Sequence, residues 1–198
     1  MTRKFGISLL SLLAMPCFGQ QFSGKEADKR MFVKGNALFL PALILNIGLE
    51  TEINEHVTWQ NDFLLSPWKS INGNHAMVLM GHTEGRYYFD RSFNKWYVGI
   101  NLGTGIFDLT KWNYSGTDRF QRGYNVMIGG VIGYQYQWKE RWNIDMFLGG
   151  GSVQSWYHGY APTDNPPGFY RYDEAEYWNK SGEVLPYRGG IMVSYRLN

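Results

Sequence analysis

The chain of 198 residues has 44% hydrophobic and only 18% charged side chains, with 14 Tyr, 12 Phe and 8 Trp among them. So much aromatic surface offsets the entropy of ordering and excludes a disordered chain, while a mean hydropathy of -0.36 excludes a bundle of membrane-spanning helices. The net charge of +2, spread along the chain, gives no footprint for a nucleic acid.

Arg3 and Lys4 precede an uncharged apolar stretch, residues 5–18, which ends in Cys17-Phe18-Gly19. This predicts a secretory signal peptide over residues 1–19, followed by a mobile leader over 20–30. Cys17 also raises lipoprotein processing, but Pro16 stands where a small flexible residue is wanted. Removing Arg3 and Lys4 from 19 basic residues leaves 17, equal to the 17 acidic ones. The remaining chain has no cysteine, so disulfides, a thiolate nucleophile and cysteine-ligated metal are excluded.

Beyond the leader the apolar period is two. Residues 32–40 and 76–89 alternate loosely, with His82, Glu84 and Arg86 on one face. Leu45, Ile47, Leu49 and Ile53 alternate with Asn46, Gly48, Glu50 and Glu52; Val57, Trp59 and Phe63 alternate with Thr58, Gln60 and Asp62. The same reading holds for Trp96, Val98, Ile100 and Leu102, for the even positions from Tyr124 to Trp138, and for Trp142, Ile144, Met146 and Leu148. Near the end, Tyr187, Ile191, Val193, Tyr195 and Leu197 oppose Arg188, Gly190, Ser194 and Arg196. These segments predict eight strands, joined by connections that alternate short and long.

Alternating antiparallel strands suit a soluble barrel, apolar inside, or a transmembrane barrel, apolar outside. Trp59, Tyr87, Phe89, Trp96, Tyr136, Trp138, Trp142 and Tyr195 decide between them. All sit on the apolar face and near the short turns, as an interfacial girdle would. The expected fold is therefore all-β, an eight-stranded antiparallel up-and-down transmembrane β-barrel over residues 31–198, placed in a bacterial outer membrane. Its interior would hold Glu50, Glu52, Asp62, His82, Glu84, Arg86, Asp145, Arg188 and Arg196, packed as a polar plug because eight strands leave little more than side-chain room.

At Asn46-Ile47-Gly48-Leu49-Glu50, Ser66-Pro67-Trp68, Glu84-Gly85-Arg86-Tyr87-Tyr88-Phe89, and Gly133-Tyr134-Gln135-Tyr136 leading to Arg141-Trp142-Asn143-Ile144-Asp145, the chain resembles the exported Gram-negative proteins grouped as domain-of-unknown-function family 3575. The resemblance runs in the same order over residues 31–197. It implies an outer-membrane-type barrel with no established activity.

Catalysis is not expected. A lipid A hydrolase or transferase needs a His beside a hydroxyl nucleophile, with a carboxylate to orient it. His56 falls in a short turn, His82 points inward before Thr83-Glu84, and His75 and His158 lie near the far rim; His158 with Ser152 or Ser155 is the best available pair. No cofactor is expected, since Gly149-Gly150-Gly151 precedes no helix, and no metal, since Asp173, Glu174 and Glu176 lack a calcium-loop spacing. The stretch 158–185 reads as a long outer loop, with Tyr160, Phe169, Tyr170, Tyr172, Tyr177 and Trp178 as a candidate surface for an extracellular protein or glycan. Outer-membrane lipids are the other expected partner. Two rival readings remain: a lipid A-modifying barrel enzyme, and a soluble periplasmic β-barrel holding an apolar ligand.

Overall fold

The computed structural model describes residues 29–69, 73–111, 116–164, 166–172 and 177–198. The expected signal peptide, most of the expected leader, and Asp173, Glu174 and Glu176 lie outside them. The elements run β1 (Met31–Asn36), a 3-10 turn (Leu40–Ala42), β2 (Leu45–Glu52), β3 (Val57–Ser66), β4 (Ala76–Tyr88), β5 (Lys95–Leu109), β6 (Phe120–Lys139), β7 (Trp142–Asp164), β8 (Pro167–Arg171) and β9 (Asn179–Arg196). All pairings are antiparallel. Each strand from β1 to β6 pairs with the next, β6 pairs with β7, β7 with β9, and β9 returns to β1, so eight strands form a closed ring.

The period-two pattern produces this ring because one residue of every pair faces in and the next faces out. Along β6, Met127, Val131 and Gln135 are buried, while Val126, Ile128, Ile132 and Trp138 are exposed. Closure pairs every strand of the ring on both sides at the short-turn end, while above β1 the upper part of β9 pairs with β7. The wall is uneven: β1, β2 and β3 have 6, 8 and 10 residues, whereas β6, β7 and β9 have 20, 23 and 18. The excess rises beyond the long connections, opposite the turns after β2, β4 and β6.

The sheet has nine strands rather than the eight expected, and the difference lies in the stretch read as a loop. β7 continues to Asp164 and folds back through β8, which among the described residues pairs with β7 alone. Both strands contain a proline, Pro162 in β7 and Pro167 in β8. Pro167 opens β8, and Pro162 lies beyond Tyr160, the last β7 residue paired to β6, so the N–H it lacks has no ladder to serve on that side.

A second departure concerns Tyr187. Gly149 pairs with Arg188 but Gly150 pairs with Pro186, so Tyr187 is the extra residue of a bulge in β9. The bulge resets the alternation and turns Tyr187 inward beside Arg188, where its hydroxyl donates to Asn101 Oδ1 at 2.6 Å. Parity alone had set Tyr187 on the outer face.

Candidate functional site

The chemistry gathers inside the ring. Lys34 on β1 directs its Nζ to Glu50 Oε2 (2.6 Å), Asp145 Oδ2 (2.5 Å) and Gln60 Oε1 (3.0 Å). Arg86 on β4 donates from Nε to Glu84 Oε1 (2.5 Å) and from Nη1 to Asp145 Oδ2 (2.8 Å) and Glu50 Oε2 (3.2 Å). Its guanidinium lies 4.5 Å from the Tyr97 ring centroid. Tyr97 and Tyr88 donate to Asp145 Oδ1 and Glu50 Oε1, both at 2.8 Å, and Thr58 Oγ1 donates to Glu50 Oε1. One layer towards the long loops, Arg188 Nη2 meets Asp62 Oδ2 (2.6 Å) and Glu84 Oε2 (3.3 Å), while His82 Nδ1 lies 3.6 Å from Asp62 Oδ1.

Lys34, Arg86 and Arg188 thus face Glu50, Asp62, Glu84 and Asp145, every one of them buried. Charges withdrawn from water in this way persist only when paired and hydrogen-bonded. The network separates two small chambers. One, of about 160 Å³, is lined by Asn46, Asp62, His82, Tyr187 and Arg188 towards the long loops. The other, of about 210 Å³, is lined by Arg30, Arg91, Glu140 and Arg196 at the short turns.

Of the expected interior set, Glu50, Asp62, His82, Glu84, Arg86, Asp145 and Arg188 come together. Glu52 and Arg196 sit instead at the short-turn mouth, where Glu52 is held by Arg30 (2.9 Å) and Ser92 (2.6 Å). The hydrogen bonds that Arg30 donates to the Glu52 carboxylate raise the pKa of its guanidinium above its ordinary value. In the turn after β4, Lys95 2.6 Å away holds Asp90 below the usual carboxylate range, chiefly through their hydrogen bond. Sequence reasoning missed Lys34, Gln60, Tyr88, Tyr97 and Gln135 as members. Lys34 was legible: Phe32, Lys34 and Asn36 form a period-two buried set in a segment too short to weigh heavily.

The outer surface is the inverse of the interior. Trp59, Tyr87, Phe89, Trp96, Tyr136, Trp138 and Trp142 are exposed around the short-turn end, and Tyr195 packs against Trp142 at 5.0 Å. Between them and the long-loop end the outward side chains include Val98, Ile100, Leu102, Ile106, Val126, Ile128, Ile132 and Leu148, at 39–70% exposure. A second aromatic group stands beyond this band: Tyr124 stacks on Trp156 at 5.2 Å and meets Trp178 edge-on at 5.6 Å.

The loop aromatics divide. Tyr160 and Phe169 cover Phe120 at 5.3 and 5.0 Å, and Trp178 also stacks on His158 at 4.2 Å. Tyr172 receives the Arg119 guanidinium at 5.3 Å, whereas Tyr170 and Tyr177 are open to solvent. Beneath Phe169 lies a pair that the sequence did not single out: His75 Nδ1 is 2.7 Å from Asp108 Oδ1, and Arg122 Nη2 is 2.6 Å from Asp108 Oδ2. Thr110 Oγ1 accepts from the His75 backbone N–H. Among the described residues no group of His, Cys, Asp and Glu is arranged to hold a metal ion.

A closed antiparallel ring with ion pairs inside and aliphatic side chains outside defines the class: an all-β protein turned inside out relative to a soluble core. The family model described as "Protein of unknown function (DUF3575)" matches residues 8–181. The chain belongs to that family. No curated protein and no solved structure matches it.

Proposed function

We propose that the protein is an eight-stranded transmembrane β-barrel of a bacterial outer membrane, with a closed polar interior and a non-enzymatic, structural or interaction role served by its long-loop end. The observation that carries this reading is the inversion of burial: charges are fully enclosed while apolar side chains are exposed in a continuous band. On β6 that band spans eleven residues and so ten rises, from Tyr124 to Tyr134. At about 3.3 Å per residue and a tilt near 40°, this is roughly 25 Å of height, the apolar thickness of an outer-membrane barrel. Aromatic side chains at both ends match the headgroup levels. Among the described residues no helix is long and apolar enough to cross a membrane.

Fractionation tests this directly. The protein is expected in the outer-membrane fraction with heat-modifiable migration on a gel; release with soluble periplasmic proteins would support the rival that binds an apolar ligand inside. Because Lys34, Arg86 and Arg188 fill the lumen with their carboxylate partners, the protein in planar bilayers should give no large, stable conductance. A sustained porin-sized current would overturn the closed interior.

One observation favours a lipid-modifying enzyme instead, the carboxylate-oriented His75 at the long-loop rim. Its neighbouring hydroxyl, Thr110, is committed to the His75 backbone rather than to the ring. Lipid A mass spectra from cells with and without the protein are therefore expected to coincide, and a changed acyl pattern would install the enzyme reading.

A further inference from the structure

On the outward face of the tall wall, an apolar groove of about 500 Å³ runs between β3 and β6, floored by Leu65, Met77, Leu79 and Ile106 and walled by Tyr124 and Trp178. Arg122 stands at its upper end. The guanidinium uses Nε and Nη2 on Asp108, at 3.1 and 2.6 Å, which fixes its plane and leaves Nη1 without a partner among the described residues. Its side chain is 58% exposed.

Register places a second cation on the same face. Tyr124 pairs with Trp156 and Trp156 with Lys180, while Arg122 pairs with His158 one outward position higher. Residues directly opposite in a ladder share a face, so Lys180 points outward with Trp156. Two strand spacings and two residue rises put the Arg122 and Lys180 backbones about 12 Å apart. Lys180 has no ion-pair partner among the described residues.

The groove therefore joins an acyl-chain trough to separated cations, at the level where the second aromatic group marks a headgroup boundary. Long connections of such barrels face the cell exterior. We infer that this face seats one lipopolysaccharide molecule of the outer leaflet, an acyl chain lying in the groove and two sugar-borne phosphates reaching Arg122 and Lys180. Phosphatidylglycerol and phosphatidylethanolamine each carry one phosphate and span one cation only. Guanidinium and ammonium donors make charge-assisted bonds to phosphate, and basic patches beside spanning segments recognise lipid headgroups by the same chemistry. The inference rests on the membrane reading above and names its partner.

The test titrates the full chain, refolded in detergent micelles, with lipopolysaccharide and reads tryptophan emission, to which Trp156 and Trp178 contribute. Lys180 is exposed and its side chain makes no hydrogen bond or ion pair among the described residues, so the fold of Lys180→Glu is expected intact; with Arg122→Gln added, the affinity should fall about tenfold or more. Dephosphorylated lipopolysaccharide should weaken to a similar degree on the unaltered chain, and phosphatidylglycerol should bind more weakly than lipopolysaccharide. Unchanged affinity in the double variant, or equal binding of phosphatidylglycerol, would overturn the seat. Heat-modifiable migration of the same samples reports on the barrel separately: a chain that shifts on the gel yet ignores lipopolysaccharide refutes this inference alone.

Discussion

Replacing Arg86 by Ala is expected to destabilise the folded protein by about 3–5 kcal/mol, the usual consequence of removing one partner from a buried charge cluster. Arg86 touches Glu84, Asp145 and Glu50 at 2.5, 2.8 and 3.2 Å, and its side chain is wholly enclosed. Without it Lys34 is the one cation left on Glu50 and Asp145 among the described residues, and Glu84 keeps Arg188 at 3.3 Å. The truncated side chain also leaves a void against the Tyr97 ring, but the carboxylates left unmatched dominate. Thermal unfolding in detergent micelles, followed by tryptophan emission and gel mobility, measures the loss. Arg86→Met should be nearly as damaging, because it restores volume and not charge, whereas Arg86→Met combined with Glu84→Gln should recover part of the stability. If Arg86→Ala unfolds at the temperature of the unaltered chain, the carboxylates are not held by charge pairing.

The second large effect comes from the seam where β6 meets β7. A Cβ added at Gly151 would strike Ile128 O and lie 2.5 Å from the Gly129 Cα, both backbone atoms of the neighbouring strand. A flexible side chain could rotate away; a paired strand cannot without opening its ladder. Gly151→Val should therefore cost about 3 kcal/mol or more, at or above the ordinary range for overpacking, and reduce the yield of heat-modifiable protein. Gly35→Val provides the matched control. A Cβ at Gly35 meets nothing within 4 Å, so that change should leave stability within about 0.5 kcal/mol. Equal loss in both variants would show that backbone approach at the seam is not the constraint.

Much of this could be read from residues in order. Alternation of Trp96, Val98, Ile100 and Leu102 with Tyr97, Gly99, Asn101 and Gly103 assigned β5 faces correctly, because a strand's period is geometric and needs no knowledge of its neighbours. The interior set was mostly recovered for the same reason. Lys34 escaped because β1 has only six residues, too few for its period to stand out. Tyr187 was misplaced because a bulge is a property of two strands: only pairing with Gly149 and Gly150 reveals the extra residue. β8 was read as part of a long loop because a five-residue strand that pairs with the end of β7 has too short a period to stand out, and whether its proline is tolerated depends on which side of the strand is unpaired.

The order of residues already carries the all-β class, the inside and outside of most strands, and the family. Those properties follow from local periodicity and from motifs that survive without coordinates. Tertiary structure alone decided that Lys34, Arg86 and Asp145 meet, that His75 finds Asp108, and that Arg122 and Lys180 share one outer face. Residues 34 and 145, or 122 and 180, become neighbours only through the register and closure of the ring. Register depends on every strand at once, which no single segment of the chain can specify.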